Sequence, residues 1–251
     1  MLLKRQRRTE PMTQYSIPLG IVNSETMPAL AADGALWPGC FVGRPITRDG
    51  ADDAALRDLC GLLVADGAEE TAALCELRCP WLPRLDAAEW GDEAACRHFI
   101  ARVCALYEFN LLCRQTLSRG ALMAFHSRYK LVLLAHSQPE YRTLGPFVGA
   151  MAQRPSLDDY AQEYRLRLMS LMAHRTTRRN HTNVLMHVQG YFRPQLSSEQ
   201  RQELTRTIDD YRRGLQPRAA PMALLRGYMA LYPDPWLAQQ RYFHPFLEQS
   251  A

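Results

Sequence analysis

RRNHTNVLMHVQGYFR, residues 178–193, decides how the rest of the sequence is interpreted. At about 100° per residue, a helix over this stretch gathers four polar side chains into one narrow stripe, Asn180, Asn183, His187 and Tyr191. An apolar arc lies directly beside the stripe and consists of Val184, Leu185, Val188 and Phe192. Polar side chains that flank a core-facing arc, instead of lying opposite to it, indicate the wall of a pocket.

Helical periodicity continues on both sides of this stretch, from residue 92 to the carboxyl terminus. Capping residues and helix breakers divide it into predicted helices at about 92–115, 118–136, 137 onward, 156–174, 180–194, 197–214 and 222–232. A short turn opens at Asp234 and Pro235. The sequence therefore predicts an irregular multi-helix domain over residues 92–251.

The region before residue 92 has a different pattern. Residues 15–22 (YSIPLGIV) and residues 39–46 predict two strands, and the composition of residues 24–50 is typical of loops. Residues 53–79 have a helical period that is interrupted near Gly67. We expect residues 1–12 to be a disordered basic tail and residues 13–91 a small α/β or loop-rich region. The predicted fold class is mainly α.

Composition limits the protein class. No run approaches the roughly 18 apolar residues of a membrane-spanning helix, and residues 1–11 lack the apolar stretch of a signal peptide. The seven cysteines are odd in number and scattered, which is typical of reduced thiols. These observations predict a cytoplasmic protein that does not enter membranes.

The net charge of +4 hides an asymmetry between the two halves. Residues 1–95 hold 9 Lys and Arg against 15 Asp and Glu (net −6), whereas residues 96–251 hold 21 against 11 (net +10). The basic half is the natural place for an anionic ligand such as a nucleotide, RNA or phosphate. Mutual attraction of the halves, or a merely basic surface, explains the asymmetry equally well.

The stretch 118–136 is the most apolar predicted helix, with Leu122, Phe125, Tyr129, Val132 and Leu133 on its inward arc and His136 in the middle of that arc. His126, Lys130 and Ser137 line one edge of the arc at helical spacing. A purely structural interpretation has Lys130 extend its amine to solvent and His126 bond a carbonyl. His136 is then a core histidine that donates to a neighbouring helix.

The functional interpretation has His126 and Lys130 face Asn183 and His187 across a pocket. Such a set suits a phosphate, carboxylate or nucleobase, because lysine supplies charge, asparagine paired donors and acceptors, and histidine a transferable proton. His187 or His126 is then the catalytic acid or base. The ligand-binding candidates are Lys130, Arg128, His136, Asn180, Asn183, Tyr191 and Arg193.

Other motifs are weak or missing. The sequence has no HExxH, no second cysteine pair to match Cys75 and Cys79, no glycine-rich phosphate loop and no GxSxG, so we predict neither a metal nor a cofactor. The run Arg175, Arg178 and Arg179 either meets phosphates at a helix amino end or forms a solvated turn. Residues 232–236 (YPDPW) predict a turn that docks aromatic side chains on the core.

Five segments of the helical half carry a family resemblance. They are FHSRYKL (125–131), AHS (135–137), HTNVLMH with GYF (181–192), YRRG (211–214) and YPDPWL (232–237). With them, residues 96–251 resemble the YbgA family, a helical domain of unknown function. Relatives are often encoded near photolyases, which implies a link to repair or stress.

In longer relatives this domain follows one similar to 2-thiouracil desulfurases, which hold an iron–sulfur cluster on cysteines. Residues 17–24 (IPLGIVNS), WLP (81–83) and RHFIARV (97–103) resemble parts of that arrangement. Ser24, however, stands where that family places its first cluster cysteine, and an SPSCG segment is missing. The resemblance thus implies a short, cysteine-depleted remnant without a cluster, and we do not expect Cys40, Cys75 and Cys79 to replace the missing ligands.

Three functions follow as hypotheses. The first is a binding or accessory module for a small anionic ligand, such as a nucleotide or modified nucleobase. The second is an enzyme that uses histidine as acid or base and Lys130 to stabilise negative charge. The third is a protein that binds RNA or DNA without sequence specificity.

Overall fold

The computed structural model of the protein describes residues 16–24 and 40–244, and the predicted basic tail lies outside these residues. The described strands are β1 (Ile17–Val22), β2 (Phe41–Ile46), β3 (Gly61–Val64) and β4 (Arg84–Asp86). The described helices are α1 (Asp53–Arg57), α2 (Glu69–Arg78), α3 (Glu93–Gln115), α4 (Arg119–His136), α5 (Gln138–Gly149), α6 (Leu157–Ala173), α7 (Arg178–Phe192), α8 (Ser198–Arg213), α9 (Ala219–Leu231) and α10 (Pro235–Ala238). The fold class is mainly α, as predicted.

The four strands form one parallel sheet in the order β2-β1-β3-β4. All six residues of β1 are buried, as expected for a strand with a neighbour on each side. The order in which strands are added changes direction between β1 and β3. The strand β2 lies on one side of β1, whereas β3 and then β4 follow on the other side. In such sheets ligands bind beyond the carboxyl ends of the strands at this point.

The helical interpretation of residues 53–79 was wrong in the middle of that range. GLLV at residues 61–64 forms β3 and is buried throughout, between β1 and β4. A short run that is apolar on every side has no amphipathic period, so periodicity alone does not separate a buried strand from a helix. The two predicted strands near residues 15–22 and 39–46 are confirmed as β1 and β2.

The predicted amino-terminal boundaries of α3, α4, α5, α6 and α8 were confirmed because they depend on local capping bonds, whereas α9 begins at Ala219, before the predicted start at residue 222. Asp92, Ser118, Ser137, Ser156 and Ser197 each accept a hydrogen bond from a backbone amide in the first turn of their helix. Gly214 ends α8 with φ +82°, which is the left-handed conformation that glycine adopts without strain.

Helix α3 joins the sheet to the other helices. Its first half packs against the sheet through Phe99, Ile100 and Val103, in a buried cluster with Ile17 and other strand residues. Its second half packs against α4 and α6 in another cluster, which contains Phe109, Phe125 and Tyr164. The buried core therefore runs across residue 92, and the division into regions 13–91 and 92–251 stays a prediction.

A third buried cluster lies between α4, α7, α8 and α9. It is built from Leu131, Leu134 and Ala135 of α4, Val184, Leu185 and Val188 of α7, and residues of α8, α9 and the chain end. The apolar arc predicted for α7 is thus fully buried. No helix in the described ranges is long and apolar enough to cross a membrane.

A substitution at Gly61 tests the contact between α3 and β3. A methyl group added at Gly61 lies 2.7 Å from a side-chain atom of Val103 and 2.8 Å from Phe99. We expect Gly61→Ala to lower the free energy of unfolding by about 1–3 kcal/mol, because the core must shift to admit the methyl group. Urea denaturation followed by circular dichroism measures the change.

Gly91→Ala is the matched control, since a methyl group there meets no atom within 4 Å. Its effect should stay within about 0.5 kcal/mol. Equal stability of the Gly61→Ala variant and the wild type would contradict the close approach of α3 to β3.

Candidate functional site

The chain end closes over α4 and decides what the polar edge of that helix contacts. Residues 234–244, the C-terminal segment, begin with the short helix α10, which Asp234 caps through a 2.8 Å bond from the amide of Leu237. The indole Nε1 of Trp236 donates to Ser127 Oγ at 3.0 Å. The side-chain amide of Gln240 donates to the carbonyl of Ser127 at 2.8 Å. The aromatic residues of YPDPW thus dock on the helix that carries His126 and Lys130.

Lys130 and Tyr191 meet at Trp236. The ring of Tyr191 stacks on Trp236 with centroids 4.8 Å apart and planes 14° from parallel. The ammonium Nζ of Lys130 lies 5.6 Å from the centroid of the Trp236 ring. We call Lys130, Tyr191 and Trp236 the platform. The structure therefore brings one predicted residue of α4 and one of α7 together, through a tryptophan that the sequence assigned only a packing role.

Lys130 has an unusual electrostatic environment. Its side chain is half-buried, and it makes neither a hydrogen bond nor an ion pair in the described part of the chain. The aromatic face attracts the charge but leaves the ammonium hydrogens without acceptors. The platform is thus a cationic spot beside two aromatic planes, and Tyr191 is 40% exposed to solvent.

His126 is buried behind the platform. Its Nδ1 lies 3.0 Å from the hydroxyl oxygen of Tyr164, and its ring stacks on Tyr141 at 5.7 Å. Burial, followed by the nearby charge of Lys130, lowers the pKa of His126 to about 4. The imidazole is therefore neutral at pH 7. Its hydrogen-bond partner is the hydroxyl group of Tyr164 and not the carbonyl that the purely structural interpretation of the sequence predicted.

His136 and Asn180 hold helices together at the other end of α4. The Nδ1–H of His136 donates to the carbonyl of His174 at 2.7 Å, and the side chain of Asn180 donates to the carbonyl of His136 at 3.1 Å. Burial lowers the pKa of His136 to about 4. Each of the two side chains donates a hydrogen bond to a backbone carbonyl of a neighbouring element, as polar residues in a core commonly do.

The remaining candidates differ in exposure. His187 and Arg193 are exposed on α7 and at its end, and Asn183 is half-buried. Arg128 is half-buried, and its guanidinium carbon lies 6.0 Å from the centroid of the Phe125 ring. Since His126 is buried and His187 is exposed, the two catalytic candidates occupy different environments. Their catalytic role stays a prediction.

A shallow cavity of about 310 Å³ adjoins the platform. It is lined by Tyr191, Phe192, Gln195, Leu231, Tyr232, Pro233, Asp234 and Leu237. Tyr191 is the one predicted site residue in this lining. The cavity extends from the platform along the YPDPW turn, so a ligand on the platform has apolar surface beside it.

Two residues of the arginine run at the start of α7 contact side chains of other elements. Arg175 donates to Glu89 at 2.8 Å, and the guanidinium carbon of Arg178 lies 5.7 Å from the ring centroid of Tyr211. Further along, Arg218 donates to Nε2 of His181 at 2.7 Å. Burial and then the charge of Arg218 lower the pKa of His181 to about 3.

All seven cysteines are free thiols. Within residues 16–24 and 40–244, no group of three or more His, Cys, Asp and Glu side chains is placed to hold a metal ion.

Comparison with known proteins shows what the helical half of the chain is similar to. Residues 130–246 match a family model described as "Protein of unknown function (DUF1722)". The uncharacterized protein YbgA of Escherichia coli (strain K12) is 58% identical over 144 residues, which are 57% of this chain and 85% of that protein. The chain belongs to the YbgA family. No solved structure matches it.

The match to the DUF1722 family model includes the whole platform. It begins at Lys130 and contains Tyr191 and Trp236, whereas His126 lies before it. The platform and the C-terminal segment therefore belong to the part of the chain that the family model describes.

The buried histidines predict how stability depends on pH. Burial is the largest cause that lowers the pKa of His98, His126, His136 and His181 below the ordinary value of 6.5. At His126 and His136 the unfolded chain binds protons below about pH 6.5 that the folded chain does not bind until about pH 4, so stability falls as the pH falls through this window. Each histidine with a pKa near 4 contributes a loss of up to about 2 kcal/mol at pH 5.

Urea denaturation at about pH 7.5 and pH 5 measures this loss. We expect His136→Asn to reduce the difference between the two pH values, because one titrating group is removed. The exposed His187→Asn serves as the control and should leave the difference unchanged. A protein that is equally stable at both pH values would contradict the neutral buried histidines.

Proposed function

We propose that the protein is a binding or accessory module for a small anionic ligand with a planar ring, such as a nucleotide or a modified nucleobase. The observation that carries this proposal is the half-buried Lys130, which is held over Trp236 beside the exposed Tyr191 and has no carboxylate partner within residues 16–24 and 40–244. An oxyanion of the ligand pairs with the ammonium, and a planar ring packs on the aromatic side chains.

Charge supports an anion at this position. A lysine that is partly withdrawn from water without a counter-ion carries a desolvation cost. A bound phosphate or carboxylate offsets that cost and supplies acceptors for the three ammonium hydrogens. The net charge of +10 over residues 96–251 attracts such ligands at longer range.

Aromatic geometry supports a planar ring. Trp236 is fixed by its bond to Ser127, so its plane is set before a ligand arrives. Stacking of a nucleobase on an aromatic side chain contributes about 1–3 kcal/mol. The cavity of about 310 Å³ beside Tyr191 is of the size that small-molecule sites have.

We infer further that residues 13–91 are a remnant of a desulfurase-like domain that holds no cluster. The parallel sheet and the position of Ser24, just beyond the carboxyl end of β1, support this origin. Serine offers a hydroxyl where a cluster needs a thiolate. Cys40 lies in a different buried cluster from Cys75 and Cys79, and burial raises the pKa of all three thiols. These residues do not fit an iron–sulfur cluster. Separately, we propose that the protein acts in the cytoplasm.

Calorimetric titration with uridine and adenosine monophosphates tests the ligand. We expect Lys130→Met, which keeps the length of the side chain and removes its charge, to weaken binding by about tenfold or more, since a charge-assisted bond contributes about 1.5–3 kcal/mol. Trp236→Leu should weaken it similarly by removing the stacking surface. Arg119→Met, an exposed residue at the start of α4, is the charge-matched control and should bind as the wild type does.

Three further variants separate the alternatives. Binding of RNA or DNA without specificity predicts an affinity that falls steeply with salt and does not change in Asn183→Ala. An enzyme predicts turnover that disappears in a folded His187→Ala or His126→Gln variant. The proposed function would be contradicted if neither nucleotide bound and if the Lys130→Met variant could not be distinguished from the wild type by thermal denaturation.

A further inference from the structure

A second cavity, of about 470 Å³, lies where the sheet region meets the helices. Its walls come from α1, the end of α2 and the turn after it, the second half of α3 and the first half of α6. The lining residues that matter here are Arg57, Arg78, Trp81, Cys113 and Arg165. It shares no residue with the platform or with the cavity beside it.

Arg165 is a cation that forms no ion pair with the part of the chain that the structure describes. Its guanidinium carbon lies 3.9 Å from the centroid of the Trp81 ring, so the guanidinium stacks on the indole. Its Nε is shielded from solvent and has no hydrogen-bond partner in the same ranges. Burial lowers the pKa of Arg165, and the ionisable groups that oppose this effect are the thiols of Cys113 and Cys79, not carboxylates.

Trp81 leaves a second donor unused in the same wall. Its indole Nε1 is shielded from solvent and has no hydrogen-bond partner among the described residues. The indoles of Trp90 and Trp236, by contrast, donate to the carbonyl of Leu85 at 3.4 Å and to Ser127 Oγ at 3.0 Å. A buried donor without an acceptor is costly. Trp81 and Arg165 both line the cavity, so an acceptor that enters it satisfies the two donors once these side chains shift toward it.

The lining holds three arginines and two carboxylates, so positive charge is in excess. Arg57 and Arg78 also line the cavity, and neither they nor the lining carboxylates Asp53 and Asp158 form an ion pair within the described ranges. Burial raises the pKa of the Cys113 thiol to about 11. The thiol therefore stays protonated at pH 7 and provides no negative charge.

We propose that this cavity is a second ligand site, which binds a small molecule through a carboxylate or phosphate group. The oxyanion accepts hydrogen bonds from Arg165 and from the indole of Trp81, and Arg57 and Arg78 add positive charge at its edge. A fork of guanidinium donors matches the two oxygens of such a group. The volume admits molecules of the size that protein cavities commonly hold.

Nuclear magnetic resonance of the indole N–H groups tests this site directly on the full chain. Trp81→Phe assigns the Trp81 signal, which is then followed during separate titrations with sodium phosphate and sodium acetate at an ionic strength held constant with sodium chloride. We expect the Trp81 signal to move and saturate with at least one of the two anions, and the anion that saturates it identifies the recognised group. The Trp236 signal reports on the platform, so the outcomes at the two sites are distinguishable.

Arg165→Gln should weaken the saturable response by about tenfold or more, and Arg165→Lys should weaken it less. Arg167→Gln is the matched control, because Arg167 lies on the same helix, is exposed and pairs with Glu163 outside the cavity. If Arg165→Gln does not fold, Arg57→Gln should weaken the response instead. A Trp81 signal that does not respond beyond the sodium chloride control, or that responds equally in a folded Arg165→Gln variant, overturns the proposal.

Discussion

The side-chain amide of Gln240 is the contact that fixes the C-terminal segment on α4. Gln240 is 1% exposed, and its amide donates to the carbonyl of Ser127 and accepts from the amide of Leu131 at 3.4 Å. These two backbone groups are four residues apart, the spacing of one helical hydrogen bond. Both bonds therefore hold the segment on the turn of α4 between Ser127 and Leu131. Trp236, one turn earlier, consequently lies over Lys130.

Other contacts make the placement rigid. Arg241 pairs with Glu108 of α3 and donates its backbone amide to the carbonyl of Arg128 at 3.0 Å. The hydroxyl of Tyr242 lies 2.9 Å from Nδ1 of His181 on α7. A helix as short as α10 has little stability by itself, so these tertiary contacts must hold it. One short segment thus ties three helices together and sets the geometry of the platform.

The sequence was informative where structure depends on neighbours along the chain. Caps such as Asp92 and Ser197 predicted helix ends, because the bonds involved span two or three residues. The helical wheel also placed His126 and Lys130 on one edge of α4. It could not show that Trp236 covers that edge, because the Trp236–Ser127 bond joins residues 109 positions apart. For the same reason β3 was missed: its burial depends on strands that approach from elsewhere in the chain.

Lys130 and Arg165 show the same solution to the same physical problem. Each is a partly buried cation that lies over an indole, at 5.6 Å and 3.9 Å respectively, and not beside a carboxylate. The electron-rich ring face offsets part of the lost hydration, so the charge is tolerated in the folded protein. A carboxylate partner would also have accepted hydrogen bonds from the N–H groups of the cation. A ring face is a weak acceptor and leaves most of these N–H groups available. Under both proposals an incoming anion meets positive charge and N–H donors that form no ion pair with a carboxylate of the described residues. Packing of each cation on its ring then keeps the position available for the proposed ligand.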